Sequence, residues 1–365
     1  MFLQLCGDLQ EKILSYCSWE DLMSLSVTSR SCHLAAASLL FKNVTISFTR
    51  IKKKQKIPDN VKFAQRVRVC GAPKGTSLAE KFCKTIGELK HLRTLILENI
   101  IVRGGTLKLL CELLPKLNEL IMVTSSMCLS ESICQVDANL CHLQKLPELN
   151  SLRCMFKDIT DLGMSDHISK LTKLCKLDLH QCHQITDEGI AHLSSLKQLR
   201  ELHLRCCRQV TGSTFHALHD LPWLSKINVS YSPISAHGFH SIAQMTGVNE
   251  LIAFGCGCLG EQFLHITTMK HLRRLTIGDG RLLSTDDVDL YCENISSLTS
   301  LERFCVDAGW IRGDLLERIA GLPMLKELVL ISGLNVERDL CYFGVDVKIT
   351  RPGWQTFMES IDMDY

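Results

Sequence analysis

Cysteine and histidine are the residues here with the most capacity for chemistry. The chain holds 19 cysteines and 14 histidines, and several gather in short runs: His180-Gln-Cys182-His183, His203-Leu-Arg-Cys206-Cys207 and Cys256-Gly-Cys258. Thiolate and imidazole at such spacing can ligate zinc, or pair as nucleophile and base. A structural zinc site, however, calls for paired C-x2-C arms with a matching second half, and none of the three runs supplies one. Nor does the sequence place an acid to orient the imidazole beside Cys182 or Cys207. G-x-S-x-G, P-loop and H-E-x-x-H patterns are missing. His142, His192 and His271 fall at helical or repeat-equivalent positions and read as structural. The expectation is a non-catalytic chain with no cofactor and no metal.

Disulfides are the other use for so many cysteines. The start, MFLQLCGDLQEKIL, has no basic leader region, and Gln4 and Asp8 break its apolar stretch, so a secretory signal is not expected. No window reaches the ~18 apolar residues of a membrane helix. A reducing compartment, cytoplasm and/or nucleus, follows as the expectation, and with it free thiols. A chain of 365 residues can build its core without cross-links. Its 46% apolar and 22% charged content argues against wholesale disorder, and a net charge of +2 makes binding to nucleic acid through overall basicity unlikely.

What positions these residues is a repeat. L-x-x-L-x-L recurs from Leu92, Leu117, Leu149, Leu174, Leu199, Leu224, Val248, Leu272, Leu301 and Leu325, with a weaker unit from Ala64. The starts from Leu92 onward lie 25, 32, 25, 25, 25, 24, 24, 29 and 24 residues apart, inside the leucine-rich-repeat range. The two long gaps imply insertions near residues 124–140 and 279–295. In a short strand alternate side chains share a face, so the fourth and sixth positions point into a core. The intervening segments, such as Thr186–Leu196, are long enough for a short helix with Thr186 or Asp187 as N-cap. The predicted fold is α/β, a leucine-rich-repeat horseshoe with a parallel sheet on its concave face and helices on its convex face.

Cys182, Cys207 and Cys256 each stand three residues after the last strand position, and two continue alike, as Cys182-His-Gln-Ile185-Thr-Asp and Cys207-Arg-Gln-Val210-Thr-Gly. This resembles the cysteine-containing class of leucine-rich repeat, whose cysteine fills a buried turn. Other units put Ile100, Ser125, Lys157, Ser232, Gly280, Gly309 and Gly333 there. Cys154 takes a strand core position, while Cys83, Cys111, Cys141 and Cys292 fall in the helical halves.

The first forty residues read differently. Leu5, Leu9, Ile13 and Leu14 fall at helical spacing, Ser18-Trp-Glu-Asp21 forms a capping box before Leu22, Leu25 and Val27, and a third helix fits Arg30–Leu40. The stretch resembles an F-box through Leu5, Asp8-Leu9, Ile13-Leu-Ser-Tyr16, Asp21-Leu22, Leu25-Ser-Val27, Arg30, Leu34-Ala35 and Leu40-Phe41, departing from it at Cys6 and Ser31. An F-box ahead of cysteine-type repeats is the layout of the F-box/leucine-rich-repeat family. That resemblance implies a substrate receptor of an SCF-type ubiquitin ligase. Leu5, Leu9, Ile13, Leu14, Leu22, Leu25 and Val27 would meet a Skp-type adaptor and, through it, cullin and RING subunits. The alternative is a leucine-rich-repeat scaffold in signalling or immune recognition with no ubiquitin role.

A protein substrate would sit on the concave face, where the non-leucine strand positions point. Lys176, His180, His203, Arg205, Lys226, Asn228 and Phe254 are its candidate contacts, and the basic stretch near residues 200–208 could receive an acidic or phosphorylated segment. The organisation expected is a helical module over 1–41, a basic connection over 42–60, about ten repeats over 61–340, and a C-terminal cap and acidic tail over 341–365. Residues 42–74 carry ten Lys or Arg against Asp59 alone. The run Arg50-Ile-Lys-Lys-Lys-Gln-Lys56 reads as a solvated connection, with nuclear import or contact with an anionic partner as the other readings. Val345–Thr350 alternates and could close the sheet.

Overall fold

The structure, a computed structural model, describes residues 43–47, 64–70, 78, 80–98, 100–123, 133–154, 157–257, 260–278, 285–307, 310, 315–331 and 346–350. The helical module expected over 1–41, with all seven adaptor-contact candidates, lies outside the described residues. So do the Arg50–Lys56 run, Cys258 and the tail beyond Thr350. The chain divides into two compact units, Met1–Met155 and Phe156–Tyr365.

In the first unit the strands are β1 (Asn43–Ser47), β2 (Arg66–Cys70), β3 (Thr94–Glu98), β4 (Glu119–Val123) and β5 (Ser151–Cys154). Each pairs in parallel with the next, and Val67, Leu95, Leu120 and Leu152 stand in register. Between them come α1 (Glu80–Gly87), α2 (Gly104–Leu113) and α3 (Ile133–Asn139), the last running into a 3-10 turn, Leu140–Lys145. The presence of β1 corrects one expectation: residues 43–47, assigned to a solvated connection, add a strand to the repeat sheet.

The second unit continues the same plan. Its strands are β6 (Lys176–Asp178), β7 (Glu201–His203), β8 (Lys226–Asn228), β9 (Glu250–Phe254), β10 (Arg274–Gly278), β11 (Arg303–Asp307), β12 (Glu327–Ile331) and β13 (Asp346–Thr350). All pair in parallel in chain order. Leu177, Leu202, Ile227, Leu251, Leu275, Phe304, Leu328 and Val347 share one register line. From Leu177 to Leu328 one apolar position per repeat thus becomes a continuous buried row. Burying one such leucine contributes about 2 kcal/mol, which no single repeat could secure alone. Strand β13 falls where the alternation over Val345–Thr350 predicts it. Helices α4 (Asp161–Asp166), α5 (Asp187–Ala191), α6 (Ala236–Ala243), α7 (Glu261–Thr267), α8 (Thr285–Asn294) and α9 (Leu315–Ala320) lie between strands, with 3-10 turns completing several segments. The ten residues of α8 fall within the insertion expected near 279–295.

The Thr-Asp pairs that open these helices act across repeats. Thr186 is the N-cap of α5, its hydroxyl accepting from the Glu188 N–H at 3.2 Å. The same hydroxyl donates to Asp161 one repeat earlier, 2.6 Å away, while the Thr186 N–H donates to the other carboxylate oxygen at 2.9 Å. Asp187 repeats the device toward Thr211, Gly212 and Ser213. An aspartate at the first helical position thus satisfies the turn of the following repeat, and its charge suits the helix N-terminus. This is a leucine-rich-repeat fold: one strand per repeat, most often 24–25 residues apart, parallel and in register, with helical returns between many of them.

Candidate functional site

The turn that ends each strand sets the site's frame. Gln181, Cys206 and Tyr231 adopt positive φ (60°, 58° and 58°), as does Gly255 at the equivalent position (71°). A left-handed residue there turns its N–H toward the next repeat: Gln181 to Arg205 O, Cys206 to Ser230 O and Tyr231 to Phe254 O, at 2.8–2.9 Å. For a bulky residue this conformation costs on the order of 1 kcal/mol.

Beneath the turn lies the position occupied by Cys207, Ser232 and Cys256. The Cys207 thiol donates to Leu179 O at 3.2 Å, the Ser232 hydroxyl to Leu204 O at 2.6 Å, and the Cys256 thiol to Val229 O at 2.9 Å. All three are buried. They answer the carbonyl left open where the preceding repeat's strand ends. Burial pushes the Cys207 and Cys256 thiols up to about 12, so they stay protonated at neutral pH and are not the thiolates that zinc or nucleophilic chemistry needs. Among the described residues no group of three or more His, Cys, Asp or Glu is arranged to hold a metal ion. Brief treatment of the native chain with iodoacetamide at pH 7 is expected to modify partly exposed Cys175 well before Cys207 or Cys256, read by peptide mass spectrometry. Equal labelling would contradict the buried-turn role.

The helix-free face of the second unit carries three rows of side chains. The first is a ladder of charge: Lys176–Glu201 (3.1 Å), Lys226–Glu250 (2.8 Å), Arg274–Glu250 (3.3 Å) and Arg303–Glu327 (3.3 Å). Two of the predicted contacts, Lys176 and Lys226, thus already have carboxylate partners on the neighbouring strand. The bond from His203 Nε2 (3.3 Å), with Lys176 second, holds the Glu201 carboxyl at about 2, well below its ordinary 4.5. That depression stabilises the fold fully above pH 4.5 and is lost as pH falls toward 2. It would amount to about 3 kcal/mol unscreened, and with a third of Glu201 exposed screening leaves about 1 kcal/mol. Glu201→Gln is therefore expected to lose about that much at pH 7 and to flatten the pH dependence of the urea midpoint between 4.5 and 2.

The second and third rows divide along the unit. Asp178, His203, Asn228, Arg205 and Ser230 form a buried polar zone, with His180 partly exposed beside it. Asp178 and Asn228 accept from the N–H groups of His180 and Ser230, at 3.1 and 3.0 Å, where three-residue strands β6 and β8 end. Further along, Ile252, Phe254, Cys305, Val329 and Ile331 make an apolar cluster against which Tyr231 packs. Arg205 joins the zones. Its guanidinium lies 5.5 Å from the Tyr231 ring centre, and that ring meets Phe254 edge-on at 5.8 Å. Of the seven predicted contacts, the structure brings His203, Arg205, Asn228 and Phe254 into this inner surface, with Lys176, Lys226 and His180 along its margins. The cations near residues 200–208 do not form one patch, because Arg200 turns to Trp223 and Arg205 to Tyr231. Sequence reasoning missed Tyr231. The signal for it was its place one residue before Ser232, where Cys206 precedes Cys207 and Gly255 precedes Cys256.

No helix among the described residues is long and apolar enough to cross a membrane. No protein-family model and no curated protein matches the sequence. Among solved structures, an internalin of Listeria monocytogenes aligns at 17% identity and a TM-score of 0.42, over 80% of this chain and 84% of that one. Internalin C2 of the same organism aligns at 14% identity and a TM-score of 0.33, over 74% and 82% of the two chains.

Proposed function

We propose that this chain is a non-catalytic protein-binding scaffold, and more finely that it is the substrate-recognition subunit of an SCF-type ubiquitin ligase. The observation that carries the binding role is the inner face of the second unit. A buried polar zone, edged by the ladder of matched charges, adjoins an apolar one and is joined to it through Arg205, Tyr231 and Phe254. Aromatic groups are among the side chains that most often anchor protein interfaces, and the strained backbone of half-buried Tyr231 holds one in place, with buried Arg205 and Phe254 packed against its ring. The finer reading is supported by the resemblance of residues 1–41 to an F-box. On it, Leu5, Leu9, Ile13, Leu14, Leu22, Leu25 and Val27 dock on a Skp-type adaptor, which links to cullin and RING subunits, and the repeats present the substrate. An intracellular setting, cytoplasm and/or nucleus, suits both the ligase and the free thiols.

One experiment separates the readings. Purified full-length chain is mixed with a Skp-type adaptor, beside the double variant Leu9→Asp, Leu22→Asp. The receptor reading expects stable retention by the unaltered chain and at least a hundredfold weakening in the variant. If the unaltered chain does not retain the adaptor, the ligase role falls, and a scaffold without ubiquitin function takes its place. Tyr231→Ala with Phe254→Ala should leave adaptor retention intact while removing partners bound through the inner face.

A further inference from the structure

A second surface lies on a different edge of the second unit, in the loops that lead into the strands. The residue just before each repeat's first apolar position runs Trp223, Gly247, His271, Ser300, Met324. Its two ends are large and open, Trp223 being 57% and Met324 50% exposed. Gly247, His271 and Ser300 stand between them. Gly247 lies so close to the preceding loop that a Cβ there would come within 2.9 Å of the Leu224 carbonyl oxygen. The result is a cleft of about 340 Å³ lined by Gly247, Asn249, Arg273, Ser300, Glu302 and Met324, among others.

Charge at the cleft is one-sided. Arg273 and Lys326 are 66% and 68% exposed and share a single carboxylate, Glu302, at 3.4 and 2.8 Å. Two cations on one anion leave a net positive charge. Water screens exposed pairs of this kind and keeps them weak, so a second carboxylate can join with little disruption. One repeat beyond the lining residues, Arg200 lies 5.9 Å from the Trp223 ring centre and sets a cation beside that aromatic. Single exposed apolar side chains are ordinary. Two at equivalent repeat positions, Met324 lining the cleft and Trp223 one repeat beyond its other end, form a pattern with a length. Four strand-to-strand steps of about 4.8 Å make about 19 Å, the reach of about six extended residues.

We propose that this cleft is a second binding surface, distinct from the inner face, which takes an extended acidic segment of a protein partner with apolar side chains about six residues apart. The apolar ends would rest on Trp223 and Met324, and the carboxylates between them on Arg273 and Lys326.

The test uses the full chain and a fluorescein-labelled peptide, Leu-Asp-Glu-Asp-Glu-Asp-Leu, whose leucines stand six apart on one face of an extended chain, read by anisotropy. Its neutral counterpart, Leu-Asn-Gln-Asn-Gln-Asn-Leu, and phosphatidylserine vesicles are run in parallel. The acidic peptide is expected to bind at least about tenfold more tightly than the neutral one, and to weaken as salt rises. Arg273→Glu with Lys326→Glu should cost a further tenfold or more, and Ser300→Trp, which fills the cleft but keeps the charges, should abolish binding. Lys176→Glu, on the inner face, should leave it unchanged. Equal binding of acidic and neutral peptides, undiminished binding by folded Ser300→Trp, or capture by vesicles alone would overturn the proposal. Should a variant fail to fold, judged by its thermal midpoint, the peptide comparison and salt dependence on the unaltered chain still decide.

Discussion

Replacing Asp187 with alanine is expected to cost about 3–5 kcal/mol of folding stability, more than an average core truncation. The carboxylate is buried and accepts from the Thr211 N–H (3.1 Å), the Gly212 N–H (2.7 Å), the Ser213 hydroxyl (2.9 Å) and the Thr211 hydroxyl. Alanine would leave two backbone donors without a partner in a turn too tight to recruit a substitute, at about 1–3 kcal/mol each. The milder change Asp187→Asn would keep one acceptor oxygen, and its cost should be about half. Because the bonds run from one repeat to the next, the loss falls on the coupling between neighbours that makes a solenoid cooperative. Urea unfolding of Asp187→Ala should show an earlier midpoint and a broader or split transition. A single transition displaced by under 1 kcal/mol would mean that water replaces the carboxylate, and that the ladder is not what couples these repeats.

The ladder also shows where sequence and structure parted. The L-x-x-L-x-L rows were legible because burial of the fourth and sixth positions is a local, periodic requirement, and Leu177 through Val347 fall into one register accordingly. The cysteine turns were legible for the same reason. What periodicity could not give was the partner of each polar group. Thr186 and Asp187 both read as N-caps, and only the stacked repeats show that threonine caps the helix while aspartate reaches forward 24–26 residues. Strand β1 was hidden by its neighbours. Phe41-Lys-Asn-Val44-Thr-Ile46 keeps the repeat spacing with phenylalanine in the leading place, but the lysine-rich run after it dominates the composition.

The inner face was legible in position and not in character. Alternation assigns Lys176, His203, Lys226 and Phe254 to the side away from the helices. Taken one repeat at a time they read as free cations and polar groups. Stacking at about 4.8 Å puts Glu201 beside Lys176 and Glu250 beside Lys226, so the charge that a single repeat displays is cancelled by the next. The apolar zone escaped notice for the converse reason. Ile252, Cys305 and Val329 lie in three strands, β9, β11 and β12, with Ile331 two residues further along β12, and only stacking in register makes them a cluster.

Gly238→Val is expected to destabilise the chain by about 3–4 kcal/mol, and a pair of alanine variants tests the cause. Gly238 stands in the first turn of α6, its N–H bound to the Ser235 cap at 3.1 Å. A Cβ there would lie 2.6 Å from Thr211 O and 3.0 Å from the Cα of Gly212, both backbone atoms. Gly212 has φ +83°, and its own Cβ would stand 2.7 Å from the Gly238 Cα. The two glycines let the helix of one repeat touch the turn of the one before, close enough for the Ser235 N–H and hydroxyl to donate to Thr211 O at 2.9 and 3.1 Å. Any side chain at 238 must push α6 outward, breaking those bonds and loosening buried Phe239 and Ile242. Gly105, in the first turn of α2, is the counterpart: a Cβ there meets nothing within 4 Å. Helix propensity alone favours alanine over glycine by up to about 1 kcal/mol at either site. Gly105→Ala should therefore raise the urea midpoint and Gly238→Ala should lower it. If both variants gain stability, α6 can move off the 211–212 turn without penalty, and the close packing of these repeats is not what holds them in register.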